Sequence, residues 1–311
     1  MIDQKNLPKA SDYPLLLDGG LSNQLEAMGY DLNDPLWSAR LLKDDPEAIV
    51  EAHLAYLRSG AQILITSSYQ SSIEGFAKTG LSELEAVELI LRSVELAKEA
   101  SKRFQNDYTQ AEKIFIAGSI GPYGAFLADG SEYTGNYTIS EVELIDFHFK
   151  RIQILADSSA DFLACETIPS IREAHVLHAL LSQSKKPAWV SFSCFDNTYL
   201  NDGTPASEAF RLFRDHPNVF ALGINCTAPQ YVSGLIGIIR EEAPGKKIVV
   251  YPNSGEIYNP ETKGWAGTND PLICGMMSNE WLQLGADIIG GCCRIGPKHI
   301  AAIGAMIDSN Q

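Results

Sequence analysis

A chain of 311 residues, 45% hydrophobic and 20% charged, can bury a large core, and its length fits two domains or one α/β barrel. Its net charge of −15 and isoelectric point of about 4.8 argue against nucleic acid or an anionic membrane surface as partner. The polar opening Met1-Ile2-Asp3-Gln4-Lys5-Asn6 has no signal-peptide pattern and no apolar run is long enough to span a bilayer, so we expect a cytoplasmic protein whose six cysteines stay reduced.

Taken in order, residues 1–12 are expected to be a loose tail. Leu15-Leu16-Leu17 reads as a strand ending in the turn Asp18-Gly19-Gly20. Asp45-Pro46-Glu47 starts a helix, with Asp45 as N-cap and proline at the first helical position. Its stripe of Ile49, His53, Leu54 and Leu57 faces a core, and it stops at Ser59-Gly60. A strand over 61–65 leads to Thr66-Ser67-Ser68-Tyr69-Gln70, and an amphipathic helix covers 82–103. The third strand, 114–117, ends in Gly118-Ser119-Ile120-Gly121-Pro122-Tyr123-Gly124. Residues 128–133 belong to a long loop, a kind of segment that often carries function.

The spacing predicts a helix over 139–158, a strand over 161–165 ending in Glu166-Thr167, and a helix from Pro169 to Leu181. Strands follow at 188–192, 219–224, 247–251 and 287–289, with helices over 204–213, 231–241, before Leu284, and over 297–307. Eight strands alternating with helices predict a single (β/α)₈ barrel; a doubly wound open sheet is the alternative, but no GxGxxG opens the first helix.

In a barrel, chemistry sits at the C-terminal ends of the strands. There the chain offers Asp18, Ser67, Ser68, Ser119, Glu166, Asn225 with Cys226, Asn253 with Ser254 and Glu256, and Gly290-Gly291-Cys292-Cys293. The two glycines let the backbone turn sharply before the vicinal thiols. Three thiols on two strand ends suit a soft-to-borderline metal, zinc first, with a fourth position left open; spacing alone, without a CxxC, favours plain packing. Asp18 either faces the pocket or caps the next helix. Carboxylates there can hold an α-amino group, and the backbone N–H groups of Gly19 and Gly20 a carboxylate. Cys165, Cys194, Cys274 and the histidines His53, His175 and His178 read as ordinary core or surface groups. Two other classes stay open on residues alone: a zinc-stabilised binding protein, and a hydrolase using Asp18 and Glu166 as acid and base.

Leu17-Asp18-Gly19-Gly20, the run Gly118 to Gly124, Ala164-Cys165-Glu166-Thr167, Gly223-Ile224-Asn225-Cys226 and Gly290-Gly291-Cys292-Cys293 occur in that order. As an ordered set they resemble the homocysteine S-methyltransferase family over nearly the whole chain. The resemblance implies one homocysteine-binding zinc barrel over 1–311. Cys226, Cys292 and Cys293 match the zinc thiolates. Asp18 and Glu166 match the residues that hold the homocysteine amine, and the Gly19-Gly20 backbone lies near its carboxylate. Ser67 and Ser68 match positions lining the amino-acid pocket, and Asn253 is counted with the substrate residues. At Thr167 some relatives carry a tyrosine that approaches the metal. Residues 121–133 and 251–256 look closest to the branch using S-methylmethionine, rather than betaine or folate. The implied partners are small molecules, homocysteine and a methylsulfonium, whose charge Trp37, Tyr123 or Tyr133 could face.

Overall fold

The apolar runs become strands because both of their faces find apolar cover. In a computed structural model describing residues 7–32, 37–109, 112–259, 264–266 and 269–309, the barrel strands are β1 (Leu15–Leu16), β2 (Ile63–Ile65), β3 (Phe115–Ile120), β4 (Phe162–Ile168), β5 (Ala188–Phe192), β6 (Val219–Asn225), β7 (Lys247–Tyr251) and β8 (Ile288–Ile289). They form one sheet in the order β1-β8-β7-β6-β5-β4-β3-β2, every pair parallel. A parallel bridge from Leu17 to Ile63 joins the two ends of that order. The (β/α)₈ barrel is therefore the fold, and the open-sheet alternative is excluded by this closure.

Alternation along the strands sorts the side chains. Leu15, Leu17, Phe115, Phe162, Trp189, Val249 and Ile288 fill the barrel interior as one cluster. The intervening Leu16, Ile116, Leu163, Val190, Leu222 and Ile289 pack outward with the helices in a second, larger cluster. Leu7 and Tyr13 pack against the interior cluster where β1 begins. Within the segment expected to be loose, Leu7 packs in this way while Lys9, Ala10 and Ser11 are exposed; residues 1–6 lie outside the described residues.

Capping chemistry sets the helix starts. Asp45 accepts from the Ala48 N–H with Pro46 at the first position of Pro46–Arg58. Ser82 and Ser140 form reciprocal boxes with Glu85 and Glu143 at the heads of Glu83–Asp107 and Glu141–Asp157. The helix expected from Pro169 begins at Ile171, because the Ser170 hydroxyl caps it and the proline stays outside. His53 is fully buried, and burial lowers its pKa to about 4, so it is a neutral core residue.

Several elements differ from the sequence reading. The short helices Leu21–Ala27, Ile73–Lys78 and Tyr123–Leu127 and a hairpin of Ile257–Asn259 with Gly264–Ala266 were not expected. β3 and β4 run past their apolar stretches to Ile120 and Ile168. Their last inward positions, Ser119 and Glu166, are polar because they face the mouth of the barrel, so the apolar pattern stops before the ladder does. Among the described residues no helix is long and apolar enough to cross a membrane.

Gly223 shows how tightly the interior is closed. A Cβ there would lie 1.9 Å from Val249 O. Gly223→Ala should therefore overpack the barrel and lower the unfolding free energy by about 1–3 kcal/mol. Gly237, within Val232–Glu242, has open space around its missing Cβ. Gly237→Ala should stabilise by about 0.5–1 kcal/mol through helix propensity. Urea denaturation of the two variants checks both signs.

Candidate active site

At the C-terminal ends of the strands the barrel opens into a cavity of ≈ 810 Å³. Gly19, Gly20, Ser67, Glu166, Cys226, Asn253, Cys292 and Cys293 border it; of the expected site residues, Asp18 and Ser68 lie behind its wall.

The three thiols converge. Cys226 follows β6 in a left-handed backbone conformation (φ 47°), and Cys292 and Cys293 follow β8. Hydrogen bonds from Cys226 N to Tyr251 O (3.3 Å), Cys292 N to Pro252 O (2.8 Å) and Ser254 N to Cys293 O (3.2 Å) tie all three to the end of β7. Gly290 and Gly291 serve close approach rather than a left-handed turn. A Cβ on Gly290 would meet Asp18 O at 2.6 Å, and one on Gly291 the Ile295 side chain at 2.0 Å.

The three sulfurs lie within 4.8 Å of one another. Cys293 Sγ is 3.6 Å from Cys226 Sγ and 4.0 Å from Cys292 Sγ. A tetrahedral zinc with bonds of about 2.3 Å separates its sulfur ligands by roughly 3.8 Å; the donor set and both Cys293 separations fit that ion, while Cys226 and Cys292 stand closer than it requires. The structure joins Cys226 to Cys292 as a disulfide. The proximity that suits a metal also suits an S–S bond, with Cα atoms 5.6 Å apart. Cys165 and Cys194 are buried elsewhere, and Cys274 also stands apart.

Two buried carboxylates sit beside the thiols. Asp18 Oδ2 accepts from the Ile65 N–H (2.9 Å), helping to close β1 on β2, and Oδ1 is buried with no partner. Asp18 is thus not the cap of Leu21–Ala27, whose N-cap is Gly20. Burial, with Glu166 nearby, holds its carboxyl well above the usual range. Glu166 accepts from the Ser119 hydroxyl, and burial pushes it up to about 7. A register shift in the β4–β5 ladder falls between Cys165 and Ile168, where Thr167 has φ 61°. Asn225 fixes that bend, its Oδ1 accepting from Thr167 N and its Nδ2 donating to Thr167 Oγ1, both at 2.7 Å.

The two serines separate. Ser67 borders the cavity, and its hydroxyl is buried without a partner. Ser68 donates to Ser119 O (2.8 Å) and pairs with Thr66 Oγ1, so it supports the strand ends. The Gly20 N–H donates to Ile295 O (2.9 Å) and is not available to a ligand. A Cβ on Gly19 would lie 2.4 Å from Ile295 O and one on Gly20 2.7 Å from Cys292 O, so both glycines admit the cysteine loop. Asn253 borders the cavity with its Oδ1 accepting from Gly255 N (2.9 Å).

Tyr69, Glu132, Tyr251 and Arg294 complete the wall and were not singled out as site residues from sequence. Arg294, at φ 70°, pairs with Glu256 (3.0 Å). Tyr69, Tyr251 and Arg294 stand at or just past strand ends, a signal present in the sequence, whereas Glu132 lies in the long loop after β3. Tyr133 borders the cavity, its hydroxyl 3.9 Å from Cys293 Sγ. Tyr123 packs instead against Phe126, Tyr137 and Phe147, and the Trp37 side chain lies outside the described residues.

Comparison with known proteins places this geometry. Residues 15–307 match the family model described as homocysteine S-methyltransferase. The Bacillus subtilis (strain 168) homocysteine S-methyltransferase YbgG is 48% identical over 298 residues, covering 94% of each chain. The crystal structure of the homocysteine methyltransferase MmuM from Escherichia coli, metallated form, is similar with a TM-score of 0.84 at 42% identity, covering 94% of this chain and 95% of that one. Its oxidized form has a TM-score of 0.85 at the same identity and coverage. A match that runs through sequence and fold alike, over nearly the whole length, leaves neither the binding-protein nor the hydrolase alternative standing: the chain belongs to the homocysteine S-methyltransferase family and is a methyltransferase.

Proposed function

We propose that the enzyme is a zinc-dependent cytoplasmic homocysteine S-methyltransferase, with residues 1–311 acting as one catalytic unit. It takes its methyl group from S-methylmethionine and, less well, from S-adenosylmethionine. One observation carries the reading: three thiols within 4.8 Å of one another stand at the mouth of the barrel beside two buried carboxylates.

Cys226, Cys292 and Cys293 would hold the ion. When bound, zinc on three thiolates supplies the charge that keeps a fourth, substrate sulfur deprotonated and electron-rich at neutral pH. The chain's own groups orient the acceptor. An ammonium against Glu166, with the charge of the nearby buried Asp18 behind it, offsets the burial that otherwise favours their neutral forms. The Ser67 hydroxyl gains a partner from the same amino acid. In the transfer, the homocysteine sulfur pair forms a bond to the methyl carbon. The bond from that carbon to the donor sulfonium breaks, and its electron pair stays on the donor sulfur. Both S-methylmethionine and homocysteine thereby become methionine, and the thiol proton is released. In-line displacement of this kind needs orientation and exclusion of water rather than a strong base.

The same thiols are close enough to oxidise. The Escherichia coli relative is described in both a metallated and an oxidized form, and we assign both states to this chain. Reduced protein should hold one zinc per chain by elemental analysis. The Cys292→Ala, Cys293→Ala double variant should hold none, while a Cys165, Cys194, Cys274 triple alanine variant should keep it. Mild oxidation should release the zinc and join Cys226 to Cys292, with reductant plus zinc restoring activity.

Glu166→Gln and Asp18→Asn should each raise the KM for homocysteine about ten- to a hundredfold while zinc stays bound, the worth of a charge-assisted hydrogen bond. The titration of Glu166 gives an independent check on metal-free protein. Burial raises its pKa from 4.5 to about 7. Its contribution to stability is therefore fully present below its unfolded pKa and lost as pH rises through about 7. The difference in unfolding free energy between wild type and Glu166→Gln should move against wild type by about 3 kcal/mol from about pH 4 to pH 8.

Methionine formation from S-methylmethionine, S-adenosylmethionine, betaine and methylfolate, each with homocysteine, tests the donor. S-methylmethionine should be used best. A faster reaction with betaine or methylfolate would overturn the assignment.

A further inference from the structure

One carboxylate on the cavity wall has no part in holding homocysteine or the metal. Glu132 is half-buried and borders the cavity, and its Oε2 is shielded from solvent with no hydrogen-bond partner. Nothing cationic pairs with it among the described residues. Leaving a carboxylate oxygen so placed costs free energy. It lines the same cavity as Cys226, Cys292 and Cys293. Tyr133, the next residue, reaches to 3.9 Å from Cys293 Sγ.

The position of Glu132 is built in. A Cβ on Gly124 would lie 2.4 Å from Glu132 N and 2.7 Å from its Cα. A Cβ on Gly121 would lie 2.6 Å from Tyr69 O. These two glycines thus let two segments of cavity wall press against the turn that follows β3. Beneath them the buried Arg151 donates to Gly121 O (2.9 Å) and Tyr69 O (2.8 Å), anchoring both to the helix Glu141–Asp157. Left-handed residues Ala128 (φ 55°) and Gly130 (φ 84°) turn the chain back over Gly124, and the Ser131 N–H is held by Asp129 Oδ1 (3.0 Å).

We propose that Glu132 is the donor-selecting residue: its carboxylate holds the positive sulfur of a methylsulfonium against the thiol cluster. The inference rests on the donor reading above and names the residue that carries it. Burial raises the Glu132 pKa, and a donor with a positive methyl-bearing atom offsets that burial where one with an uncharged methyl-bearing nitrogen, such as methylfolate, does not. The attraction is strongest before transfer. As the methyl group moves, the sulfonium becomes a neutral thioether, and the attraction fades. Glu132 therefore binds the ground state more than the transition state, and its removal should be felt in KM rather than kcat.

The test is steady-state kinetics of the zinc-loaded Glu132→Gln and Glu132→Ala enzymes. Expected is a rise of about tenfold in the KM for S-methylmethionine and for S-adenosylmethionine, the scale of one partly desolvated charge pair. The kcat should not fall, and zinc content and the KM for homocysteine should stay within about twofold of wild type. Dimethylsulfoniopropionate, a methylsulfonium without an ammonium group, should compete with the donor in wild type and lose affinity in both variants. An unchanged donor KM, a rise confined to homocysteine, or a loss seen only with donors that carry an ammonium group would overturn the proposal. If wild type does not turn over S-methylmethionine, the donor reading fails on its own, and S-adenosylmethionine, the second sulfonium, still decides the role of Glu132.

Discussion

The site depends on the parallel ladder that puts β6, β7 and β8 side by side. Gly223, Val249 and Ile288 lie at one level across these three strands. Cys226 stands three residues beyond Gly223 and Cys292 four beyond Ile288, and the turns that follow β6 and β8 bring both thiols together on the rim. Val249 lies between the two strands, and Gly223 lacks a side chain because a Cβ there would collide with it. Any slip in this register would turn one cysteine to the other face of the sheet and dissolve the cluster.

Around that cluster the barrel carries charge that it does not neutralise itself. Asp18 and Glu166 are buried, close enough to act on one another, and raised in pKa by desolvation. Asp18 Oδ1, Ser67 Oγ and Glu132 Oε2 are shielded without partners. Elsewhere buried charge is answered: Glu173 takes His148 at 2.6 Å, the Tyr137 hydroxyl and the Tyr123 N–H. Glu173 thus finds its partners within the chain, whereas the cavity leaves carboxylate and hydroxyl oxygens that a cationic amino acid would complete.

Backbone conformation marks the same rim. Thr167, Cys226 and Arg294 have positive φ without being glycine, and they follow or end β4, β6 and β8. Such conformations cost on the order of 1–3 kcal/mol each, and they persist because the surrounding structure holds them. Asn225 does so for Thr167, Tyr251 O for the Cys226 N–H, and Asn23 Oδ1 for the Arg294 N–H (2.6 Å).

Much of this protein is legible in its sequence, because βα alternation and helix caps are local properties. The eight strands, the capped starts at Asp45 and Ser82 and the return of the chain after each helix follow from apolar period and residue type. The thiols and carboxylates announced themselves by standing at strand ends. What the sequence could not determine was anything set by two distant segments at once. The reach of β4 through Glu166 depends on β5 and on Asn225; the taking of the Gly20 N–H depends on Ile295; the separation of Ser67 from Ser68 depends on Ser119. Glu132 looked like one acidic residue in a loop until Gly124 fixed it to the cavity wall. Local chemistry determines which elements form, but only closure of the barrel decides which side chains share a space, because neighbours across the ring are unrelated in sequence distance.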